Sequence, residues 1–309
     1  METPTPHPSD LMAPMDYDAM APRSLTEPQA VTGVPGATSH LNITYATVVG
    51  WRPLLLDLHV PSSGPGPYPV VVYAHGGGFL GGVKAIGPWH SLPARGIAVA
   101  SVSYRLSGEV SFPEPVEDVR AAVRWVRANA RQYFLDPDRI AGWGSSAGAY
   151  LMTMAALSGD EALGRPVGTH QEVSAELSAV VDHHGPADLS QICDDAFENS
   201  EEEVAATRSI VRQFLGFDPD AEPERAAATD PVALAARRGQ GPPFLIMHGD
   251  SDHRVGWEQS ARLYEGLAKA GIAAELITVR DADHAAPEFT SREHVVDVLS
   301  FLRRTWRFP

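Results

Sequence analysis

The hydrophobic and polar positions of the chain follow a regular pattern from residue 41 onward. Short, mostly apolar runs such as VVVYA (70–74) and FLIMHGD (244–250) are typical of strands that are buried on both faces of a parallel sheet. Longer segments between such runs repeat apolar residues at helical spacing, as in 113–134, where valines occupy positions 116, 119, 123 and 126. Strands that alternate with helices predict an α/β fold whose mostly parallel sheet is covered on both faces.

The pattern predicts where each element lies along the chain. The predicted strands cover 41–48, 54–60, 70–74, 97–104, 139–145, 177–185, 244–250 and 273–281. The predicted helices cover 113–134, 146–157, 257–270 and 291–305. The first two strands flank a Gly50-Trp51 turn, and we expect them to pair in antiparallel fashion.

Two stretches follow neither period. Residues 1–40 are rich in proline, which interrupts long helices, and we interpret them as an N-terminal arm that is either flexible or a partial cap. Residues 187–241 separate two predicted strands, and an insertion of this length predicts a small lid over a site. Residues 41–309 are expected to form one domain, a size that suits an α/β fold with one large sheet.

Composition narrows the range of functions. The formal net charge is −15, which argues against binding to nucleic acid or to an anionic membrane surface. Cys193 is the single cysteine, so an internal disulfide and a cysteine-rich metal site are excluded. The sequence shows neither a secretory signal nor an apolar run near the ~20 residues that cross a bilayer. We therefore expect a soluble, cytoplasmic protein.

A G-x-S-x-G pentapeptide, Gly144-Ser145-Ser146-Ala147-Gly148, lies between a predicted strand and a predicted helix. Its small residues permit a sharp turn that lifts the central hydroxyl clear of the sheet, and the helix N-terminus adds a positive dipole near it. Ser146 is the predicted nucleophile. Ser145 does not fit the central position, because Trp143 and Ala147 would then flank it.

A second motif, His75-Gly76-Gly77-Gly78-Phe79, directly follows the strand predicted over 70–74. Glycines let the backbone approach closely and adopt positive φ, as a hole for an oxyanion requires. In this arrangement one backbone N–H follows the nucleophile and others come from the glycine loop. We predict Gly77, Gly78 and Ala147 as the donors. His75 is interpreted as a residue that braces the loop, with a proton carrier as the alternative.

The nucleophile needs a general base and an acid that orients the base. Asp250-Ser251-Asp252-His253 follows the strand predicted over 244–250, at the strand end where sites gather in parallel sheets. We predict Asp252 as the acid, and we expect Asp250 to support the turn. The reverse assignment stays open.

Asp281-Ala282-Asp283-His284 follows the last predicted strand, and His284 is the predicted base. The order serine, acid, histidine along the chain agrees with this choice. His253 and His294 are alternatives that we interpret as surface or packing residues. His183 and His184 end another strand, where they either line the pocket or serve as structural histidines.

In these motifs the chain resembles α/β-hydrolase carboxylesterases, close to the hormone-sensitive-lipase-like and the bacterial feruloyl-esterase-like esterases. The resemblance spans about residues 70–285 and rests on HGGGF (75–79), SYRL (103–106) with a later FP (112–113), VEDVRAAVRWV (116–126), DPDRI (136–140), GWGSSAG (142–148), HGDSDHRV (248–255) and DADH (281–284). It implies ester hydrolysis through an acyl-serine, with no metal or organic cofactor. The short, proline-rich segment 1–40 and Ala149-Tyr150 after the pentapeptide depart from the lipase-like branch and favour the feruloyl-esterase-like group or kynurenine formamidase.

The predicted function is a serine carboxylesterase that acts on small to medium acyl or aryl esters, with a small-molecule ester as its partner. The same residues would also serve an amidase or formamidase, or a biosynthetic enzyme that transfers the acyl group or forms a lactone. A non-catalytic ligand-binding protein of this fold is the alternative from another class, and the three intact triad positions argue against it. Apolar residues of the last predicted helix, such as Val295 and Leu302, fit either the core or a homo-oligomer interface.

Overall fold

A computed structural model describes residues 33–307, and eight strands within them form one sheet. The strands are β1 (Ala37–Ala46), β2 (Leu54–Pro61), β3 (Tyr68–Ala74), β4 (Ala98–Val102), β5 (Leu135–Ser145), β6 (Ala179–His183), β7 (Phe244–Gly249) and β8 (Ala274–Val279). Their order across the sheet is β1-β2-β4-β3-β5-β6-β7-β8. The β1–β2 and β2–β4 pairs are antiparallel, and the remaining neighbours are parallel. The mostly parallel sheet and its antiparallel leading strands are therefore confirmed.

Helices cover both faces of this sheet. They are α1 (Glu114–Ala128), α2 (Ala147–Ser158), α3 (Ile192–Asp195), α4 (Glu201–Leu215), α5 (Pro223–Ala227), α6 (Pro231–Arg238), α7 (Trp257–Lys269) and α8 (Arg292–Trp306). Alternate residues of β3 point to opposite faces, because side chains alternate along a strand. Val70 and Val72 join the core that contains α1, α2 and α7, whereas Val71 joins the core that contains α8.

The prediction of a helix over 113–134 is wrong at its C-terminal end. Helix α1 ends at Ala128, and Asn129 caps it: both its backbone N–H and its side-chain amide donate to the carbonyl of Trp125. The chain then turns, with Phe134 at a positive φ of 58°, before β5 begins. The apolar residues of 129–134 belong to this turn and not to a helical stripe.

Bounds differ for two of the first strands. β1 begins at Ala37 and ends at Ala46, so it starts inside the segment 1–40 that we interpreted as an arm. Residues 1–32 of that segment lie outside the described residues. β4 spans Ala98–Val102, and it is shorter than the prediction over 97–104.

Residues 187–241 contain the four helices α3 to α6, between β6 and β7. The longest of them, α4, begins with a capping box in which Ser200 and Glu203 satisfy each other's backbone N–H groups. Among the described residues, no helix combines the length and the apolar character that a membrane crossing requires.

Candidate active site

Ser146 lies at the sharp turn between β5 and α2. Its φ of 52° and ψ of −120° are unusual for a residue with a side chain, and its N–H donates to the carbonyl of His183 at 2.8 Å. The flanking glycines make the turn sterically feasible. A β-carbon on Gly148 would lie 2.2 Å from the carbonyl oxygen of Ala74, and one on Gly144 would lie 2.3 Å from the backbone of the next turn. The strained turn holds the Ser146 hydroxyl at the carboxyl edge of the sheet.

The three predicted triad side chains lie within hydrogen-bonding distance of one another in the order Ser146, His284, Asp252. His284 follows β8, and its Nε2 lies 2.9 Å from Ser146 Oγ. On the other side of the same ring, Nδ1 lies 2.7 Å from Asp252 Oδ2 in the loop after β7. Because a carboxylate accepts, Nδ1 carries a proton, and Nε2 is then free to accept one from Ser146.

The Asp252 side chain is fully buried, and both of its oxygens are hydrogen-bonded. The backbone N–H groups of Arg254 and Val255 donate to Oδ1, each at 2.8 Å. Oδ2 accepts from His284 and lies 3.2 Å from Nε2 of His248. Burial opposes ionisation, but the hydrogen bonds from His248 and His284 keep the pKa of Asp252 well below its ordinary value of 3.8. The carboxylate is therefore charged at neutral pH.

The glycine loop after β3 lies against the nucleophile. A β-carbon on Gly76 would lie 3.2 Å from Ser146 Cβ, and one on Gly77, whose φ is 123°, would lie 2.3 Å from the carbonyl oxygen of Gly81. Ala147 is the first residue of α2, and the first N–H groups of a helix have no partner within the helix. The predicted donors Gly77, Gly78 and Ala147 thus belong to the two backbone segments that meet at Ser146.

His75 is a buried residue of this loop. Its Nδ1 lies 2.8 Å from the carbonyl oxygen of Gly76, and its ring stacks on Tyr104, whose hydroxyl donates to the His75 carbonyl. Burial lowers the pKa of His75 to about 4, so its ring is neutral at pH 7. These contacts favour the interpretation that His75 braces the loop.

The alternatives that the sequence left open lie elsewhere. Asp250 accepts a hydrogen bond from the N–H of Asp281 at 2.7 Å, so it links the loops after β7 and β8. His253 pairs with Asp283 at 3.2 Å, and its ring is partly exposed. His294 pairs with Asp297 on α8, within that helix.

His183 and His184 are both buried. Burial lowers the pKa of His183 to about 3 and moves the pKa of His184 well below 6.5. The His184 ring packs edge-on against His284, with ring centroids 4.6 Å apart, and against Phe289 at 4.7 Å. His184 therefore lies beside the base as a neutral ring.

Helix α4 packs over the glycine loop. Ile210 lies 3.7 Å from the position that a β-carbon on Gly78 would occupy. Phe214 stacks on Phe79 with ring centroids 3.6 Å apart, and Tyr150 contacts both rings edge-on. The segment that we predicted as a lid thus contacts the loop next to Ser146.

His248, the buried penultimate residue of β7, lies 3.2 Å from Asp252 and was not among the predicted site residues. The available signal was its position at the start of the HGDSDHRV segment, four residues before the acid. Among residues 33–307, no cluster of three or more His, Cys, Asp or Glu side chains could hold a metal ion.

An eight-stranded, mostly parallel sheet with a serine on a strained strand-to-helix turn defines the α/β-hydrolase fold. A family model described as BD-FAE matches residues 56–267, more than half of the chain, so the chain belongs to the BD-FAE family. The predicted resemblance to α/β-hydrolase esterases is confirmed by this membership.

Individual relatives agree with this assignment. The chain is 28% identical to esterase LipQ of Mycobacterium tuberculosis over 263 residues, which is 82% of this chain and 60% of LipQ. It is 32% identical to carboxylesterase NlhH of the same organism over 235 residues, 74% of this chain and 66% of NlhH. The chain thus spans less than two thirds of the length of these two curated relatives. The solved structure of a truncated carbohydrate esterase from gut microbiota superposes with a TM-score of 0.75 at 26% identity, covering 87% of this chain and 96% of that one.

Proposed function

We propose that this chain is a serine carboxylesterase that hydrolyses small to medium acyl or aryl esters through an acyl-enzyme. The observation that carries the proposal is a chain of two hydrogen bonds. One joins Ser146 Oγ to His284 Nε2 at 2.9 Å, and the other joins His284 Nδ1 to Asp252 Oδ2 at 2.7 Å. The names of its relatives LipQ and NlhH, an esterase and a carboxylesterase, support the choice of ester over amide.

In the first half of the reaction, Ser146 Oγ attacks the ester carbonyl carbon while His284 Nε2 takes its proton. The carbonyl oxygen becomes an oxyanion, and the backbone N–H groups of Gly77, Gly78 and Ala147 stabilise it. His284 then gives the proton to the alkoxy oxygen as the carbon–oxygen bond breaks. The alcohol leaves, and the acyl group stays on Ser146.

In the second half, water takes the place of the alcohol. His284 removes a proton from the water as its oxygen attacks the acyl carbon, and it returns that proton to Ser146 Oγ when the acid leaves. Asp252 stays ionised in both halves and stabilises the imidazolium form of His284. The ester and the water together supply every atom of the acid and the alcohol, and His284 returns each proton that it takes.

Helix α4 is proposed to border the substrate pocket as part of the lid segment 187–241. Its Ile210 lies over Gly78, and its Phe214 stacks on Phe79, so apolar and aromatic side chains face the glycine loop. Such a wall suits an acyl chain or an aromatic ring better than a charged group.

The proposal is tested by hydrolysis of p-nitrophenyl esters from acetyl to dodecanoyl, with methyl ferulate and an N-formyl arylamine measured beside them. Ser146→Ala is compared with Ser145→Ala, which removes the neighbouring hydroxyl, whose contact is with Tyr73. We expect Ser146→Ala to lower kcat by about 10³-fold or more and Ser145→Ala to change it by less than about tenfold. Faster serine-dependent turnover of the formyl amide would move the assignment to a formamidase. Absence of serine-dependent turnover of every ester would refute the esterase.

A further inference from the structure

His248 is the penultimate residue of β7, and its fully buried side chain is not used in the reaction described above. Its Nε2 lies 2.7 Å from the carbonyl oxygen of Val255 and 3.2 Å from Asp252 Oδ2. On the other side of the ring, Nδ1 lies 2.6 Å from the hydroxyl of Ser260 on α7. The ring therefore connects a strand, the loop that carries the acid and a helix.

The partners of the ring define its tautomer. Both partners of Nε2, a carbonyl oxygen and a carboxylate oxygen, can only accept, so Nε2 must carry the proton. In a neutral ring Nδ1 is then an acceptor, and the Ser260 hydroxyl supplies the proton of that hydrogen bond. Each polar atom of His248 is thus satisfied, as a buried polar side chain requires.

We propose that His248 is a positioning residue for the triad, which holds Asp252 Oδ2 in place and weakens it as a base toward His284. The inference rests on the proposed roles of Asp252 and His284. Asp252 Oδ2 accepts from His284 at 2.7 Å, and the Nε2–H of His248, which donates to the Val255 carbonyl at 2.7 Å, also lies 3.2 Å from that oxygen. Because the two donors share one oxygen, each reduces the electron density available to the other.

Loss of the His248 donor should shift the pH dependence of the activity in one direction. Asp252 Oδ2 would interact with His284 alone, so it would stabilise the imidazolium form more strongly. The acid limb of the activity would therefore move to higher pH. A purely structural role would lower the amount of folded enzyme and leave that limb in place.

Other polar groups near the rings of His248 and His284 do not change the direction of this pH shift. Beside His284 lie the neutral ring of His184 and the carboxylate of Asp283, which accepts from the His284 backbone N–H. Asp182 acts on His248 from β6, and its buried carboxyl accepts from Thr153 and from Gly185. All of these groups remain in place in the variants described next.

The experiment compares His248→Leu, which removes the donor, with His248→Gln, whose amide nitrogen can replace Nε2 as a donor. The readout is the rate at which a fluorophosphonate labels Ser146 between pH 5 and 9, together with kcat and KM for p-nitrophenyl acetate. For His248→Leu we expect kcat to fall about tenfold to a hundredfold with little change in KM. We also expect the acid limb of labelling to rise by about one pH unit, and His248→Gln to restore it toward the wild-type position.

His59→Leu is the matched control. His59 is another buried histidine with a serine partner, Ser39 at 2.8 Å, but it lies on β2. Its variant should lose stability without moving the acid limb. If His248→Leu does not fold, His248→Phe replaces it, because a phenyl ring has a shape closer to imidazole and also lacks the donor.

An acid limb that stays within about 0.2 pH units of wild type in the folded His248→Leu or His248→Phe enzyme would overturn the inference. The inference would also be overturned if the acid limb of His248→Gln lay at the same pH as that of His248→Leu. Labelling of Ser146 needs the base but not an ester substrate. Normal labelling without ester turnover would therefore refute the proposed esterase and leave the role of His248 testable.

Discussion

Replacement of Asp252 by asparagine tests how the acid orients the base, because the surrounding donors dictate how the amide must sit. Oδ1 accepts from the backbone N–H groups of Arg254 and Val255, each at 2.8 Å, and neither N–H can act as an acceptor. In Asp252→Asn the amide oxygen must take that position. The amide nitrogen must then take the place of Oδ2, facing the rings of His284 and His248.

An amide nitrogen in this place reverses the hydrogen bond to the base. It donates to His284 Nδ1, so the ring proton moves to Nε2, and Nε2 can no longer accept from Ser146 Oγ. The negative charge that stabilises the imidazolium is lost as well. We expect kcat to fall by about 10⁴-fold, equivalent to about 5 kcal/mol of transition-state stabilisation, with a much smaller change in KM.

The same substitution should cost stability. The amide nitrogen and the His248 Nε2–H would face each other as two donors across the present 3.2 Å separation. A buried donor without an acceptor costs about 1–3 kcal/mol, which urea unfolding would detect. The wild type and Asp252→Asn are compared in both assays.

Asp250→Asn is the matched control for Asp252→Asn. Asp250 lies in the same loop, but its side chain accepts the N–H of Asp281, a hydrogen bond that an asparagine oxygen can also accept. We expect kcat to stay within about threefold of the wild type. A kcat of Asp252→Asn within about tenfold of the wild type would refute the assignment of Asp252 as the orienting acid.

Two further predictions concern the glycine loop and the helix above it. In Gly77→Ala the new β-carbon would lie 2.3 Å from the carbonyl oxygen of Gly81, at a φ of 123°, so the loop must shift. We expect kcat for p-nitrophenyl acetate to fall by about 10²-fold or more. Gly81→Ala is the control and should keep near-normal activity, because a β-carbon there meets nothing within 4 Å. In Ile210→Ala the space above Gly78 widens, so the ratio of kcat/KM for octanoyl esters to kcat/KM for acetyl esters should rise by about tenfold. This factor corresponds to the pocket contact of one to two methylene groups. An unchanged ratio would argue against α4 as a wall of the pocket.

The local contexts of Ser146, Asp252 and His284 were predictable because each residue follows a strongly apolar strand. Parallel strands place their carboxyl ends at one edge of the sheet, so motifs after β5, β7 and β8 had to meet there. The distinction between Asp250 and Asp252 was harder, since both follow β7. It depends on which carboxylate reaches His284, and that is set by the path of two loops.

Features that depend on packing were not predictable to the same degree. The end of α1 at Ala128 depends on the Asn129 cap, which a valine pattern does not reveal. Four helices form within 187–241, and their polar, proline-interrupted sequence has no dominant period. The stacking of Phe214 on Phe79 joins residues far apart in sequence, so only the folded chain shows that α4 meets the glycine loop.

The burial of Asp252 explains why its carboxylate needs more than one donor. Burial alone raises the pKa of a carboxyl group, and a protonated acid could not orient or stabilise a charged base. In the proposed reaction His284 becomes protonated twice and loses that proton twice in each cycle, so its contribution to the charge of Asp252 varies. The N–H groups of Arg254 and Val255 and the ring of His248 donate regardless of the state of His284. In the proposed reaction these donors stabilise the charge on Asp252 while a proton moves between Ser146, His284 and the substrate.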